Sequence, residues 1–294
     1  MYYRRKILLG LLQAFGNELE KTRLQKLLFL LSRYQKERSY EFVPYKYGCY
    51  SFQSIADIQT LSKYNIIHQQ NQQVIKCTDT DFFSELKPVD RKAIRDLKNA
   101  YGDKNGKELT KLTYISHPYY AINSLIAEDI LSAEQFQRVL NARPVKDKTV
   151  LFTIGYEGIT LESYLNKLLM NNVRMLCDVR NNPMSMKFGF SKRQLENACE
   201  SVGIHYLHLP EVGIQSEDRQ DLRTQADYDQ LFNTYRHTTL LHTTENQKFI
   251  LSLLKEHKRI ALTCFEANIC QCHRKPLAEA IVKLDGWAYE LRHL

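Results

Sequence analysis

Glycine and proline, which interrupt regular structure, are scarce in this sequence, and it lacks the long apolar runs of membrane-spanning helices. Its 294 residues include only 11 Gly and 7 Pro, and no apolar run approaches the roughly 20 residues that a membrane-spanning helix needs. The basic and apolar start, MYYRRKILLGLLQAF, is soon followed by charged residues and lacks a small-residue cleavage site. It therefore predicts an amphipathic helix rather than a signal peptide. We expect a globular, cytoplasmic protein without membrane contact.

The cysteines do not form a recognisable framework. There are seven of them, an odd number in a large chain and without the spacing of a disulfide scaffold, which favours reduced thiols and again the cytoplasm. A chain of this length is long enough for two domains, each with its own core.

The net positive charge of the chain comes entirely from its first half. Residues 1–148 contain 24 Lys+Arg against 16 Asp+Glu, a net charge of +8, whereas residues 149–294 contain 17 of each. A basic region beside a neutral one suggests that the first meets a polyanion while the second has another task. Simple solubility is the competing interpretation of the charge.

The basic half has the periodicity of a helical domain. Apolar residues recur at helical spacing in residues 4–15, 22–34 and 54–63, and NIIHQQNQQVIK at residues 65–76 is typical of a hairpin. Three helices and a hairpin predict a mostly helical, winged-helix-like domain over residues 1–145, a type that usually places one helix in a DNA groove. We expect it to bind DNA or RNA through Lys21, Arg23, Lys26 and Lys46.

Two motifs in this half resemble a known family. RLQKLLFLL followed by FVPYKYGCYS is similar to the SocA-like, Panacea-type antitoxin family, with Cys49 where that family usually has proline. The resemblance covers about 60 residues and implies an association with toxin–antitoxin pairs and protein contacts. It therefore leaves a nucleic-acid partner and a protein partner both open.

The second half changes to alternating strands and helices. The polar, proline-containing residues 141–148 are typical of a linker. Five apolar runs then follow, TVLFTIGY, VRMLCDVR, IHYLHL, RIALTCFE and WAYELRHL, separated by helical stretches. This order predicts an α/β domain over residues 149–294, with a Rossmann-like, mainly parallel sheet and helices on both faces. Ligands of such sheets bind at the carboxyl ends of the strands.

Polar residues gather where these strands end. The richest cluster is LTCFEANICQCHR at residues 262–274, which holds a carboxylate, three thiols, an imidazole and a guanidinium within one short segment. The first strand ends at two glycines, whose backbone N–H groups could approach an anion. Asp178 and Arg180 follow the second strand and could hold a substrate or, alternatively, pair with each other. The residues expected to bind a substrate or anion are Gly155, Tyr156, Gly158, Arg180, Ser185 and Arg274.

The same segments resemble one family over nearly all of residues 149–294. TIGYEGITLESYL, CDVRNNPMSMKFGFSK, GIHYLHLPEVG and CFEANICQCHR occur in the order and spacing of the domain-of-unknown-function 488 family. The resemblance implies a Rossmann-like fold and a site, but no reaction. Its hallmark positions in this chain are Gly155, Tyr156, Asp178, Arg180, Pro183, Ser185, Cys264, Glu266, Cys272, His273 and Arg274.

Three kinds of chemistry are open to this cluster. Cys264, Cys270, Cys272 and His273 could offer ligands to zinc, although C-x-C-H is not a standard zinc spacing. Cys272 could be a nucleophile, since neighbouring His273 and Arg274 favour a thiolate.

The third is carboxylate chemistry, with Glu266 and Asp178 as general acid and base. We favour it, with Arg180 and Arg274 binding an anion and with Cys272 and His273 assisting, and we predict neither a metal nor a cofactor.

The leading hypothesis is accordingly a nucleic-acid- or nucleotide-processing enzyme. We expect a hydrolase acting on a phosphate-bearing or N-glycosidic group, in a DNA-repair or defence context. The alternatives are a sensor that binds a nucleotide-like small molecule without turnover, a DNA-binding regulator, and a toxin–antitoxin-type partner protein.

Overall fold

The computed structural model describes residues 1–215, 217–219 and 222–294. The chain divides into two compact units, Met1–Arg143 (unit 1) and Pro144–Leu294 (unit 2), which are considered separately below. The predicted α/β class is confirmed, because a mostly helical first unit precedes a unit built on a parallel sheet. None of the helices in the described ranges is both long and apolar enough to cross a membrane.

Unit 1 contains seven helices and five short strands among its described residues. The helices are α1 (Tyr3–Ala14), α2 (Lys21–Tyr34), α3 (Phe52–Lys63), α4 (Pro88–Tyr101), α5 (Gly106–Ser116), α6 (Ala127–Ile130) and α7 (Ala133–Asn141). The strands are β1 (Glu18–Glu20), β2 (Val43–Tyr45), β3 (Gly48–Tyr50), β4 (Ile67–Gln70) and β5 (Gln73–Lys76).

The predicted three helices and hairpin are present. Strands β4 and β5 pair antiparallel, and β1 adds to β5, so that the sheet order is β1-β5-β4. Helix α2 buries nine consecutive residues of its 14, from Leu24 to Ser32, so it is enclosed on all sides rather than along one apolar face. Helix α4 begins at Pro88, where the missing N–H of proline costs no hydrogen bond.

Unit 2 alternates strands and helices as expected. Its strands are β6 (Val150–Gly155), β7 (Met175–Asp178), β8 (His205–His208), β9 (Arg259–Cys264) and β10 (Glu290–His293). Its helices are α8 (Leu161–Met170), α9 (Lys192–Ser201), α10 (Gln225–His237), α11 (Thr239–His242), α12 (Thr244–His257) and α13 (Arg274–Val282).

All pairs in this five-stranded sheet are parallel, in the order β10-β6-β9-β7-β8. Strand β9 is buried along its whole length, as a central strand of a parallel sheet must be, and its run RIALTC is correspondingly apolar. Its late position in the sequence and central position in space bring β9 between β6 and β7. The carboxyl ends of these three strands therefore meet at one edge.

Candidate active site at the carboxyl edge of the parallel sheet

The ends of β6, β9 and β7 lie side by side at the carboxyl edge. Gly155 pairs with Cys264, and Asp178 pairs with Thr263. A side chain at position 155 would place its Cβ 1.9 Å from the carbonyl oxygen of Glu266, so only glycine allows the two loops to approach this closely. The glycine predicted to approach an anion instead makes room for the backbone at Glu266.

A cavity of about 290 Å³ opens at this edge. Its volume suits a small ligand or one group of a larger one. Of the predicted site residues, it is lined by Tyr156, Arg180, Ser185 and His273. The other lining residues are Asn181, Asn182, Met184, Met186, Ile214, Arg219, Cys264 and Phe265.

Asp178 lies outside this lining and is fully buried. Arg180 donates from Nε to Oδ1 at 2.8 Å and from Nη2 to Oδ2 at 2.5 Å, and the Tyr206 hydroxyl donates to Oδ2 at 2.6 Å. A carboxylate satisfied this fully holds its neighbours in place. The geometry thus favours the ion-pair interpretation of Asp178 over its predicted acid–base partnership with Glu266.

Arg180 reaches the cavity wall with most of its donors already engaged. Besides its contacts with Asp178, its Nη1 donates to the Tyr156 hydroxyl and to the Phe190 carbonyl oxygen, both at 2.8 Å. The Tyr156 ring stacks on that of Phe190 with centroids 4.3 Å apart. Arg180 and Tyr156 therefore form a rigid part of the cavity wall. Most N–H donors of Arg180 are used in hydrogen bonds within the protein, which leaves few for the predicted contact with an anion.

Arg274 likewise uses its donors in hydrogen bonds within the protein. It is 1% exposed, and it donates from Nη2 to the Glu266 carbonyl oxygen at 2.5 Å and from Nε to Cys272 Sγ at 3.0 Å. It does not line the cavity. Because a buried guanidinium with these partners cannot turn to a ligand, the prediction of Arg274 as a substrate contact needs correction: it braces the loop that carries Glu266.

The remaining predicted contacts have local roles. Ser185 lines the cavity, and its backbone exchanges two hydrogen bonds with the Ser191 hydroxyl, at 3.2 and 2.8 Å. Ser191 stands at the start of α9 but makes no side-chain cap hydrogen bond there, since its hydroxyl holds the loop instead. Gly158 lies outside the cavity lining with a φ of +74°, a turn conformation that favours glycine.

The thiols and the imidazole form a compact buried group. Cys264, Cys272 and His273 place one ligand-type atom each within 4.8 Å of the others. Cys264 Sγ lies 3.6 Å from His273 Nδ1, and the other ring nitrogen lies 2.9 Å from the Val179 carbonyl oxygen. Because a carbonyl only accepts, Nε2 carries the hydrogen and Nδ1 faces Cys264 with its lone pair when the ring is neutral.

The two thiols differ in charge. Burial alone would raise the pKa of Cys264, but the hydrogen bond with Cys272 and the charges of Arg219 and Arg274 lower it to about 6. Burial, and then the hydrogen bond with Cys264, raise the pKa of Cys272 to about 12. The predicted nucleophile Cys272 is a buried thiol outside the cavity lining. The thiol of this group that faces the cavity is Cys264.

Glu266 stands beside this group and, like Asp178, lies outside the cavity lining, which it reaches through Arg219. It is 9% exposed, its Oε1 contacts Arg219 Nη2, and its Oε2 is buried without a hydrogen-bond partner among residues 1–215, 217–219 and 222–294. The unmatched oxygen is unusual, since buried polar atoms are normally bonded. Arg219 went unpredicted because it comes from a polar, mainly acidic stretch, QSEDRQD at residues 215–221, which carries no motif and indicates only a solvated surface.

The predicted nucleic-acid contacts of unit 1 need one correction. Lys26 is 2% exposed, and its Nζ donates to the carbonyl oxygens of Tyr47 at 2.5 Å and Cys49 at 3.3 Å, so that it cannot reach a phosphate. Arg23 is partly buried and donates to the Gly102 carbonyl oxygen at 2.8 Å. Lys21 is partly exposed and Lys46 exposed, so these two remain open to a partner.

Comparison with known families gives one match, which lies in unit 2. Residues 160–281 match the family described as Domain of unknown function DUF488. The match runs from the start of α8 almost to the end of α13 and includes Asp178, Cys264, Glu266 and His273. It supports the resemblance noted above for this half, over a shorter range than residues 149–294. No curated protein and no solved structure matched the chain.

Proposed function

We propose that unit 2 is a hydrolase that acts on a small phosphate-bearing or nucleotide-like substrate in the cavity at the carboxyl edge. The observation that supports this is the half-satisfied Glu266. One of its oxygens contacts Arg219, which lines the cavity, while the other is buried and has no partner among the residues that the structure describes. A carboxylate with a spare buried oxygen can accept a proton from water, and the arginine can offer donors to an anionic oxygen.

The reaction would run through Glu266 as a single acid–base group. Glu266 takes a proton from water while the remaining hydroxide forms a bond to the phosphorus or anomeric carbon of the substrate. The bond to the leaving group breaks, and its electron pair stays with the departing oxygen or nitrogen. Glu266 then returns the proton to that atom. Asp178 has no part in this scheme, since Arg180 and Tyr206 occupy it.

A substrate panel tests the proposal. The full chain would be incubated with nucleoside mono-, di- and triphosphates, with phosphate release followed by phosphorus NMR and base release by chromatography. Glu266→Gln should lower kcat by about 10²- to 10⁴-fold, the usual contribution of a general base. The matched control is Glu245→Gln, an exposed carboxylate on α12, which should leave kcat unchanged.

Other results would count against the hydrolase. A nucleotide that binds to unit 2 stoichiometrically and is recovered intact would favour the sensor instead. Turnover that Glu266→Gln leaves untouched would remove Glu266 from the mechanism.

A second candidate function, binding of single-stranded nucleic acid, is favoured by a groove in unit 1. The groove has a volume of about 470 Å³ and is lined by Tyr2, Tyr34, Lys36, Arg38 and Lys87, among others. Tyr2 and Tyr34 are 63% and 43% exposed. Exposed aromatic rings between cations suit bases and phosphates of a single strand. The groove is favoured over helix α3, the third helix of the winged-helix-like layout, because α3 contains only one basic residue, Lys63 at its end.

The salt dependence of oligonucleotide binding tests this candidate. Lys36→Glu with Arg38→Glu should weaken binding to a single-stranded oligonucleotide and lower the slope of log K against log salt by about 1 to 2. The control with the same charge change is Lys107→Glu with Lys111→Glu, two exposed lysines on α5. Equal loss in both variants would mean that net charge, rather than the groove, attracts the strand.

A further inference from the structure

The strongest unassigned feature of the molecule is the group formed by Cys264, Cys272 and His273. All three side chains are buried. Cys264 ends β9, whereas the other two directly precede α13. Their ligand-type atoms lie within 4.8 Å of one another, the closest such grouping of His, Cys, Asp and Glu in the described part of the chain. We propose that these three residues bind one zinc ion.

The spacing of the group fits zinc. A zinc–sulfur bond of about 2.3 Å and a zinc–nitrogen bond of about 2.0–2.1 Å, held at a tetrahedral angle, put sulfur and nitrogen about 3.6 Å apart. Cys264 Sγ and His273 Nδ1 are 3.6 Å apart. Two thiolates and an imidazole form a donor set that selects zinc over the harder cations magnesium and calcium.

The surroundings hold the ligands as a metal requires. His273 donates from Nε2 to the Val179 carbonyl oxygen at 2.9 Å, which orients the ring and directs Nδ1 to the site. Arg274 donates from Nε to Cys272 Sγ at 3.0 Å, a contact that holds the sulfur in place. These partners fix both groups before any ion arrives, so that little ordering is left to binding.

The cavity lies on one side of this group. Cys264 and His273 line it, and Cys272 does not. A zinc ion held by three protein ligands would keep a fourth position for water, the pattern of catalytic rather than structural zinc. This deepens the proposed hydrolase, on which the role of the metal rests: zinc would supply an acidic water, and Glu266, whose Oε2 has no partner within the described ranges, would accept the proton.

Sequence reasoning predicted no metal because C-x-C-H is not a zinc spacing. The structure separates the two cysteines of that motif. Cys270 is exposed and Cys272 is buried. The second sulfur of the group belongs to Cys264, at the end of β9, and not to Cys270. The donor set is therefore Cys-x7-Cys-His, with Cys270 outside it.

Metal content and cobalt spectra test the site directly. The full chain, stripped with a chelator and reloaded, should retain one zinc per chain by elemental analysis. Cobalt in its place should give thiolate charge-transfer and tetrahedral ligand-field bands. Cys272→Ser and His273→Gln should lose the stoichiometric metal, whereas the matched variant Cys270→Ser should keep it. Loss of metal from Cys270→Ser as well, or retention in the other two, would overturn the assignment.

A second measurement uses the wild-type chain, in case those variants do not fold. Alkylation followed by peptide mass spectrometry should show zinc protecting Cys264 and Cys272, while the exposed Cys77 and Cys270 react at the same rate with and without metal. Equal labelling of Cys264 in both states overturns the site. Zinc binding without turnover would leave the site standing and remove the hydrolase. Turnover by a chain that retains no zinc would leave the hydrolase standing and overturn the zinc site.

Discussion

The ends of β7 and β9 carry similar residues and use them differently. At the end of β7, the carboxylate of Asp178 is matched oxygen by oxygen with Arg180 and Tyr206. At the end of β9, Glu266 meets one arginine, and one of its buried oxygens has no partner in the part of the chain that the structure describes. A fully bonded charge stabilises the structure around it, whereas an unmatched one costs free energy and is kept where chemistry needs it.

The largest expected effect separates these two carboxylates. Asp178→Ala should lower the free energy of unfolding of unit 2 by about 3–5 kcal/mol, because it leaves the buried Arg180 guanidinium without a counter-ion. Urea unfolding followed by the fluorescence of Trp287 measures this, since Trp287 is the single tryptophan of the chain. Asp229→Ala, an exposed control on α10, should change it by less than about 0.5 kcal/mol.

The second-largest loss of stability is expected where β6 closely approaches the loop that follows β9. Gly155→Ala introduces a methyl group 1.9 Å from the Glu266 carbonyl oxygen, so that one loop must move. We expect a loss of about 1–3 kcal/mol, as for other overpacked positions, together with weaker ligand binding at the cavity. Unchanged unfolding would mean that the loop can retreat freely and that Gly155 does not position Glu266.

Removing a single hydrogen bond at the end of β7 should cause a smaller loss of stability. Tyr206→Phe removes the hydroxyl that donates to Asp178 Oδ2 at 2.6 Å while Arg180 remains in place. A hydrogen bond to a charged group contributes about 1.5 kcal/mol at the low end of its range. The variant should be destabilised by that amount in the same fluorescence assay. A loss equal to that of Asp178→Ala would show that the ion pair depends on the tyrosine.

The smallest effect on stability should come from the end of β9. Glu266→Gln removes the charge that meets Arg219, whose side chain is 26% exposed, so the free energy of unfolding should change by less than about 1 kcal/mol. Catalysis, by contrast, should fall as proposed above. A stability loss as large as that of Asp178→Ala would show that both carboxylates serve to stabilise the fold. It would contradict the difference described between the ends of β7 and β9.

Much of the fold could be predicted from the sequence because local periodicity reports local burial. The five apolar runs of unit 2 became the five strands, and the leucine spacing of residues 22–34 became α2 (Lys21–Tyr34). The polar segment at residues 262–274 was recognised as a site for the same reason. A buried strand that runs directly into charged and sulfur-bearing side chains brings them to the edge of a parallel sheet.

What the sequence determined by itself, then, was the elements, the parallel sheet and the stretch that carries the chemistry. Only the tertiary structure decided which polar groups are satisfied. For Asp178 it decided between the two interpretations left open by the sequence, in favour of the pair with Arg180. It also turned Lys26 inward, brought Arg219 to Glu266 and placed Cys264 rather than Cys270 beside Cys272 and His273. The physical reason is that partners far apart in sequence are set by strand order, and the insertion of β9 between β6 and β7 leaves no periodic trace in the chain.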